Sequence, residues 1–344
     1  MVNRIAIVSL VVVSVVGPAW GEANPLRYLP SDTRVVVTVH PARLDSRERD
    51  QGTVTLRRVF TSLVAPHFAA DEKLAVADLT RVVVGLPYAG SVNGVFVLQG
   101  KIDAARFERQ MQAAVRAGDV TVEPMGKPPV NVYRRVLDPD RLGALIPPLS
   151  KVPPAFRKLV APSEVYLAVV DDQTLFASMA GRTAVERALR ARPPASRPRT
   201  SSELTALLAK QDPTDVAIIT VMDSSLHPGL HLIANESTRE AFDQFEHVVT
   251  RFRGGKEVTF HIDVAGKTAD VGPALEEKAK GALANLRTLL PKVVPSEPHQ
   301  KILAAALRLV RVERTDGHLT LTGALPADDV RRLLTPPAEA KKDE

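Results

Sequence analysis

The 344 residues carry a net charge of +6, with 45% hydrophobic, 24% charged and only 4% aromatic side chains. The chain has no cysteine, which excludes disulfides, thiolate catalysis, cysteine-bound zinc and a cysteine-linked lipid anchor. So few aromatics leave little for stacking on sugars or single-stranded nucleic acid, and a nucleic-acid partner is not expected.

The first residues have the form of a secretory signal. Arg4 supplies a positive start, Ile5 to Val16 is an apolar run, and Gly17, Ala19, Gly21 and Ala23 are the small residues of a cleavage region. A bilayer core needs about 20 apolar residues to be crossed, so the run is too short for a stable transmembrane anchor. The expectation is an exported protein, periplasmic or extracellular, with residues 1–23 removed near Ala23 and the only tryptophan, Trp20, lost with them.

A first α+β domain is expected over 25–191. Arg34 to His40 reads as a buried strand, and Thr53 to Phe68 has helical spacing. Leu79 to Leu86 and Asn93 to Gly100 form a hairpin, and Asp103 caps a helix carrying Phe107, Met111, Ala114 and Val115. Strands at Val120 to Glu123 and Val130 to Val136 precede a proline-rich crossing, Arg141 to Pro162. Glu164 to Val170 and Thr174 to Met179 make a second hairpin, followed by a helix over Thr183 to Ala191.

Residues 192–199, Arg-Pro-Pro-Ala-Ser-Arg-Pro-Arg, then read as a linker, because three prolines in eight residues break both helix and sheet. A second α+β domain is expected over 200–335. Thr200-Ser201-Ser202-Glu203 is a capping box ahead of a helix from Leu204 to Lys210, and Asp215 to Met222 is a strand. Thr238 to Val249 has helical spacing, although its end competes with a strand from Val248 to Arg253. Val258, Phe260, Ile262 and Val264 alternate with Thr259, His261 and Asp263, the pattern of a strand with one wet face. A long helix follows with Val271, Leu275, Ala279, Leu283, Leu286 and Leu290 on its apolar side, and another lies around Gln300 to Arg308. Leu309 to Arg314 and His318 to Gly323 form a hairpin across Thr315-Asp316-Gly317, with a helix at Ala327 to Leu334. Residues 336–344 form a charged, disordered tail.

The fold class is therefore α+β: two halves, each an antiparallel sheet with helices on one face, built from four strand-strand-helix units. Two of those units share a strand that ends in Gly-Lys, at Gly100-Lys101 and Gly266-Lys267. Neither is a phosphate loop, which needs glycine five residues before the Gly-Lys and Ser or Thr after it. Gly94 stands six residues before Gly100 and Ile102 follows Lys101; His261 occupies the needed glycine position in the second copy.

Other catalytic and metal-binding patterns fail as well. There is no His-Glu-x-x-His, no Gly-x-Ser-x-Gly and no Ser-x-x-Lys. His227 and His231 have ligand spacing, but Pro228-Gly229 between them opposes a helix. Asp138/Asp140, Asp171/Asp172 and Asp328/Asp329 fall at turns or helix starts, where aspartate is favoured for local hydrogen bonding. No catalytic residue, metal ligand or cofactor is assigned. The densest charge feature is Arg182, Arg187, Arg190, Arg192, Arg197 and Arg199, opposed by Glu186 alone, which makes it the candidate anion-binding patch. A solvated helix end and linker would carry the same charges.

Three segments carry a family resemblance: Leu29 to Val37, Val97 to Phe107 and Leu319 to Gly323. In order and character, over most of Leu26 to Leu334, the chain resembles a family of exported proteins of planctomycete-type bacteria. That resemblance implies a place outside the cytoplasm and carries over no catalytic residue. Together these readings point to a non-enzymatic binding or envelope-associated scaffold whose partner is an unidentified protein or envelope component. The alternatives are a hydrolase-like enzyme with a motif-less site, or weak attachment to an anionic surface through the arginines.

Overall fold

The computed structural model describes residues 25–39, 79–136, 164–190, 202–209, 217–222 and 244–334, apart from single positions 89, 90, 92, 128, 255 and 295. The signal segment, the 53–68 helix, the 141–162 crossing, the 192–199 linker, His227 and His231, Asp138 and Asp140, and the tail lie outside the described residues.

Twelve strands form one sheet in which every neighbouring pair is antiparallel. In chain order they are β1 (Val35–Val39), β2 (Leu79–Leu86), β3 (Val95–Gly100), β4 (Thr121–Met125), β5 (Val130–Val136), β6 (Glu164–Asp171), β7 (Thr174–Ser178), β8 (Ala217–Met222), β9 (Phe245–Arg253), β10 (Glu257–Gly266), β11 (Arg311–Thr315) and β12 (His318–Pro326). The helices are α1 (Ala104–Ala117), α2 (Arg182–Arg190), α3 (Ser202–Ala209), α4 (Gly272–Val293), α5 (Glu297–Leu309) and α6 (Ala327–Leu334). Across the sheet the order is β11-β12-β10-β9-β8-β1-β2-β3-β7-β6-β5-β4.

Both halves are thus antiparallel α+β, and the β1–β8 ladder fuses them into a continuous sheet, with Val37 opposite Ile219. Strand alternation defines its two faces. On one face Leu98, Leu167 and Leu175 pack beneath Phe107 and Met111 of α1, and Val264 and Leu319 pack beneath Leu275 of α4. On the other, Val97, Ala168 and Phe176 pack beneath Val185 and Leu189 of α2, Leu204 and Leu208 of α3, and Tyr28 of a 3-10 turn at Pro25–Tyr28. The first half is therefore covered on both faces. Its strands β6 and β7 are long apolar runs buried on either side, so a single layer of helices would leave half of that surface in water. In the second half α4, α5 and α6 lie on one face; α3, expected to open that half, packs on the other face against β8, with Leu204 and Leu208 in the core it shares with α2.

The helix expected over 238–249 gives way at Phe245, where β9 begins. Val248 and Val249 pair with both β8 and β10, and ladder bonds on both sides outweigh a weak helical spacing that ends in β-branched residues. Both Gly-Lys junctions have steric causes. Gly100 adopts φ of 152°, a conformation open to glycine. A Cβ on Gly266 would meet Val271 Cγ2 at 2.1 Å.

Candidate functional site

The face of β9, β10 and β12 turned away from α4 carries the most connected polar cluster of that half among the described residues. Arg251 on β9, His261 and Asp263 on β10, and Thr320 and Thr322 on β12 share that face, because His261 stands opposite both Arg251 and Thr322, and Asp263 opposite Thr320. Asp263 is the hub. Arg251 Nη1 lies 2.5 Å from its Oδ2, His261 Nε2 is 2.8 Å from its Oδ1, and Thr320 Oγ1 donates to Oδ1 at 3.1 Å. His261, on the wet face that the strand's alternation implies, is half-buried and held by this carboxylate. The arrangement does not make a nucleophilic triad, in which imidazole must stand between hydroxyl and carboxylate. Here the carboxylate stands between them, so Thr320 has no base. What the cluster offers is recognition: oriented donors and threonine hydroxyls on a rigid sheet.

A second cluster lies where α3 meets the start of β9. Ligand atoms of Glu203, Glu246 and His247 all fall within 4.8 Å of one another. Burial raises the Glu203 pKa, and hydrogen bonding to Glu246 together with its negative charge adds to the rise, so the two carboxyls favour sharing a proton. Both glutamates are exposed. In the sequence Glu203 is visible only as a capping-box residue. Nothing local to it signals Glu246 and His247, which arrive through sheet pairing.

The arginine patch is only partly assembled. Arg182, Arg187 and Arg190 lie on the exposed side of α2, and Arg192, Arg197 and Arg199 lie outside the described residues. Glu186 is not alone in opposing them: Arg182 Nη1 reaches Glu123 Oε2 on β4 at 2.9 Å while its Nε bonds Glu186 Oε1 at 3.0 Å. Arg190 is 3.9 Å from Glu186. Glu123 is 59 residues away in sequence, beyond the reach of a local charge count. Beside it, Arg134 pairs with Glu164, which also accepts from Tyr166 at 2.6 Å. The Tyr166 bond and then Arg134 hold the Glu164 carboxyl below its ordinary range. This edge of the sheet is a lattice of alternating charges that clasps α2, more than an empty anion cradle. Of the described acidic pairs, Asp171 accepts from Gln173 N at 3.1 Å in its turn and from the Tyr28 hydroxyl at 3.2 Å, and Asp328 and Asp329 pair with Arg331 and Arg332 at the start of α6.

No protein-family model matches the sequence, and no curated protein matches it. Among solved structures, similar chains are found in crystal forms I, III and IV of TP0453, with TM-scores of 0.48, 0.45 and 0.47. Each is 10% identical; the matches cover 91%, 91% and 92% of this chain and 97%, 98% and 98% of TP0453. No residue role follows from that likeness. Among the described residues, no helix is long and apolar enough to cross a membrane.

Proposed function

We propose that this chain is an exported, non-enzymatic binding or envelope-associated protein that meets its partner through the open face of β9, β10 and β12. One observation carries the reading: α4, α5 and α6 lie on one face of β10 and β12, while the other face, beyond the cover that α3 gives at β8, presents Arg251, His261, Asp263 and the threonines of β12. The signal-like segment at residues 1–23 and the resemblance to exported proteins support a location outside the cytoplasm. A rigid sheet with its hydroxyls and charges already oriented loses little freedom on binding, which favours a surface that recognises over one that rearranges.

Site-specific photo-crosslinking tests this. A photoreactive residue at Thr322, on the open face, is expected to capture a discrete partner in the native envelope, and Asp263→Ala is expected to weaken that capture. The same residue at Leu286, exposed on α4, is the control. Equal capture from both positions, or none from Thr322, would reject the open face as the contact surface.

A further inference from the structure

The sheet ends in two edges of opposite character. β4 carries Pro124, whose missing N–H suits an edge and obstructs further pairing there. β11, at the other end, has no proline, and Arg311, Glu313, Arg314 and Thr315 are all exposed. The phase of its outward hydrogen-bonding groups is fixed by its neighbours. Gly266 N–H donates to the Gly317 carbonyl at 2.9 Å, so the odd residues of β12 bond β10 and its even residues bond β11. Thr315 and His318, flanking the two-residue turn Asp316-Gly317, are then a hydrogen-bonded pair, as are Glu313 with Thr320 and Arg311 with Thr322. The backbone groups of Val312 and Arg314 consequently point away from the sheet, with no strand beyond them among the described residues.

We propose that β11 is a homodimerisation edge, on which a second copy of this chain pairs antiparallel about a two-fold axis with Val312 opposite the partner's Val312. The choice of register rests on charge. Centring the two-fold on Arg311, Glu313 or Arg314 sets each against the same residue of the other copy, and like charges directly opposite are destabilising. Centring it on Val312 sets Arg311 opposite the partner's Glu313, and Glu313 opposite the partner's Arg311, on the open face. It also places Leu309, which is 61% exposed, opposite the partner's Thr315. Charges on an edge strand ordinarily discourage pairing. On β11 their alternation discourages Arg311, Glu313 and Arg314 as centres, and a two-fold on Thr315, the last residue of the strand, would set β11 against the partner's Asp316-Gly317 turn, which leaves Val312. The dimer would extend the sheet without a break and place two open faces side by side.

The absence of cysteine makes the register directly testable in the full mature chain. Opposed residues in a hydrogen-bonded antiparallel pair have Cα atoms about 5.5 Å apart, within disulfide reach. Val312→Cys is expected to form a disulfide-linked dimer on mild oxidation, much faster than Val136→Cys, whose position is 67% exposed elsewhere. Sedimentation of the unmodified chain should show a concentration-dependent dimer. Arg311→Glu and Glu313→Arg should each weaken it roughly tenfold, and the double reversal should restore it to within about twofold, since both cross-strand pairs re-form with signs exchanged. A wild-type chain that stays monomeric overturns the proposal. So do single reversals without effect, a double reversal that does not rescue, or equal crosslinking from both cysteine positions.

Discussion

The two halves of the sheet use one strand chemistry and differ in how many faces they bury. In the first half, β7 is buried at every position and β6 at five of eight, with α1 on one side and α2 and α3 on the other. In the second, β10 alternates Val258, Phe260, Ile262 and Val264 against Thr259, His261 and Asp263, and the described helices follow the apolar set. A continuous apolar run demands cover on both sides, whereas an alternating one needs it on a single side. The first half is thereby a closed scaffold. In the second, the polar set of β10 and β12 stands without helix cover among the described residues.

The sharpest way to break that contrast is to cut the same face in both halves. Phe176 lies on it in the first half with no exposed surface, and Phe176→Ala should cost about 3–5 kcal/mol in chemical denaturation. Thr322, on the same face in the second half, should tolerate Ala to within about 0.5 kcal/mol. A large loss at Thr322 would mean that this face is closed as well.

Next in size is a pH effect confined to the first half. Tyr133 is buried beneath α1, edge-on to Phe107, with its hydroxyl donating to Glu108. Burial first, and then the Glu108 bond, push its pKa up to about 12. The folded value is raised above that of the unfolded chain, so the neutral phenol contributes stability in full below pH 10 or so, and loses it as pH climbs towards 12. Ultraviolet titration of the folded protein should show the last phenolate step disappear in Tyr133→Phe. If that step survives, Tyr133 is not buried as described.

Much of this architecture was legible in the sequence, because apolar alternation and capping residues act locally. The hairpins β2–β3 and β6–β7 stand within a residue or two of where turn chemistry and alternation put them, and β11–β12 forms across the expected turn, with β12 running three residues further, to Pro326. Two-sided cover could also have been read from the unbroken apolar stretch Val165 to Val170. What stayed hidden depended on sheet order. The Asp263 hub, the Glu123–Arg182 pair and the Glu203–Glu246–His247 trio join residues from different strands and helices. No local pattern says that β8 will slot between β1 and β9.

The two Gly-Lys junctions allow a finer comparison between the halves. In the first, Asp103 accepts a hydrogen bond from Arg106 N at 2.8 Å and caps α1. In the second, Thr268 makes no capping bond, and the chain enters α4 through a 3-10 turn. Asp103→Ala should therefore cost about 1 kcal/mol, and Thr268→Ala less than about 0.5 kcal/mol, by thermal denaturation. Equal costs would mean that the two junctions start their helices in the same way.

The smallest expected effect sits at the seam. Glu203 belongs to α3, whose Leu204 and Leu208 are buried in the first-half core, and its carboxyl faces Glu246 on β9 of the second half. Its pKa is raised in the folded state by burial and by Glu246, with Arg34 opposing, so its contribution to stability is complete below the ordinary glutamate range and fades as pH rises through the shifted value. At neutral pH the two carboxylates repel across the seam, and Glu203→Gln removes that repulsion while keeping the hydrogen-bonding shape. The melting temperature of Glu203→Gln should therefore rise slightly above that of the parent at pH 7, with the gain shrinking towards pH 4. A gain that is the same at both pH values would place the effect in helix propensity and leave the seam without a charge conflict. A loss at pH 7 would mean that the Glu203 carboxylate has a favourable cationic partner outweighing Glu246, for which Arg34, whose charge opposes the rise in its pKa, is a candidate.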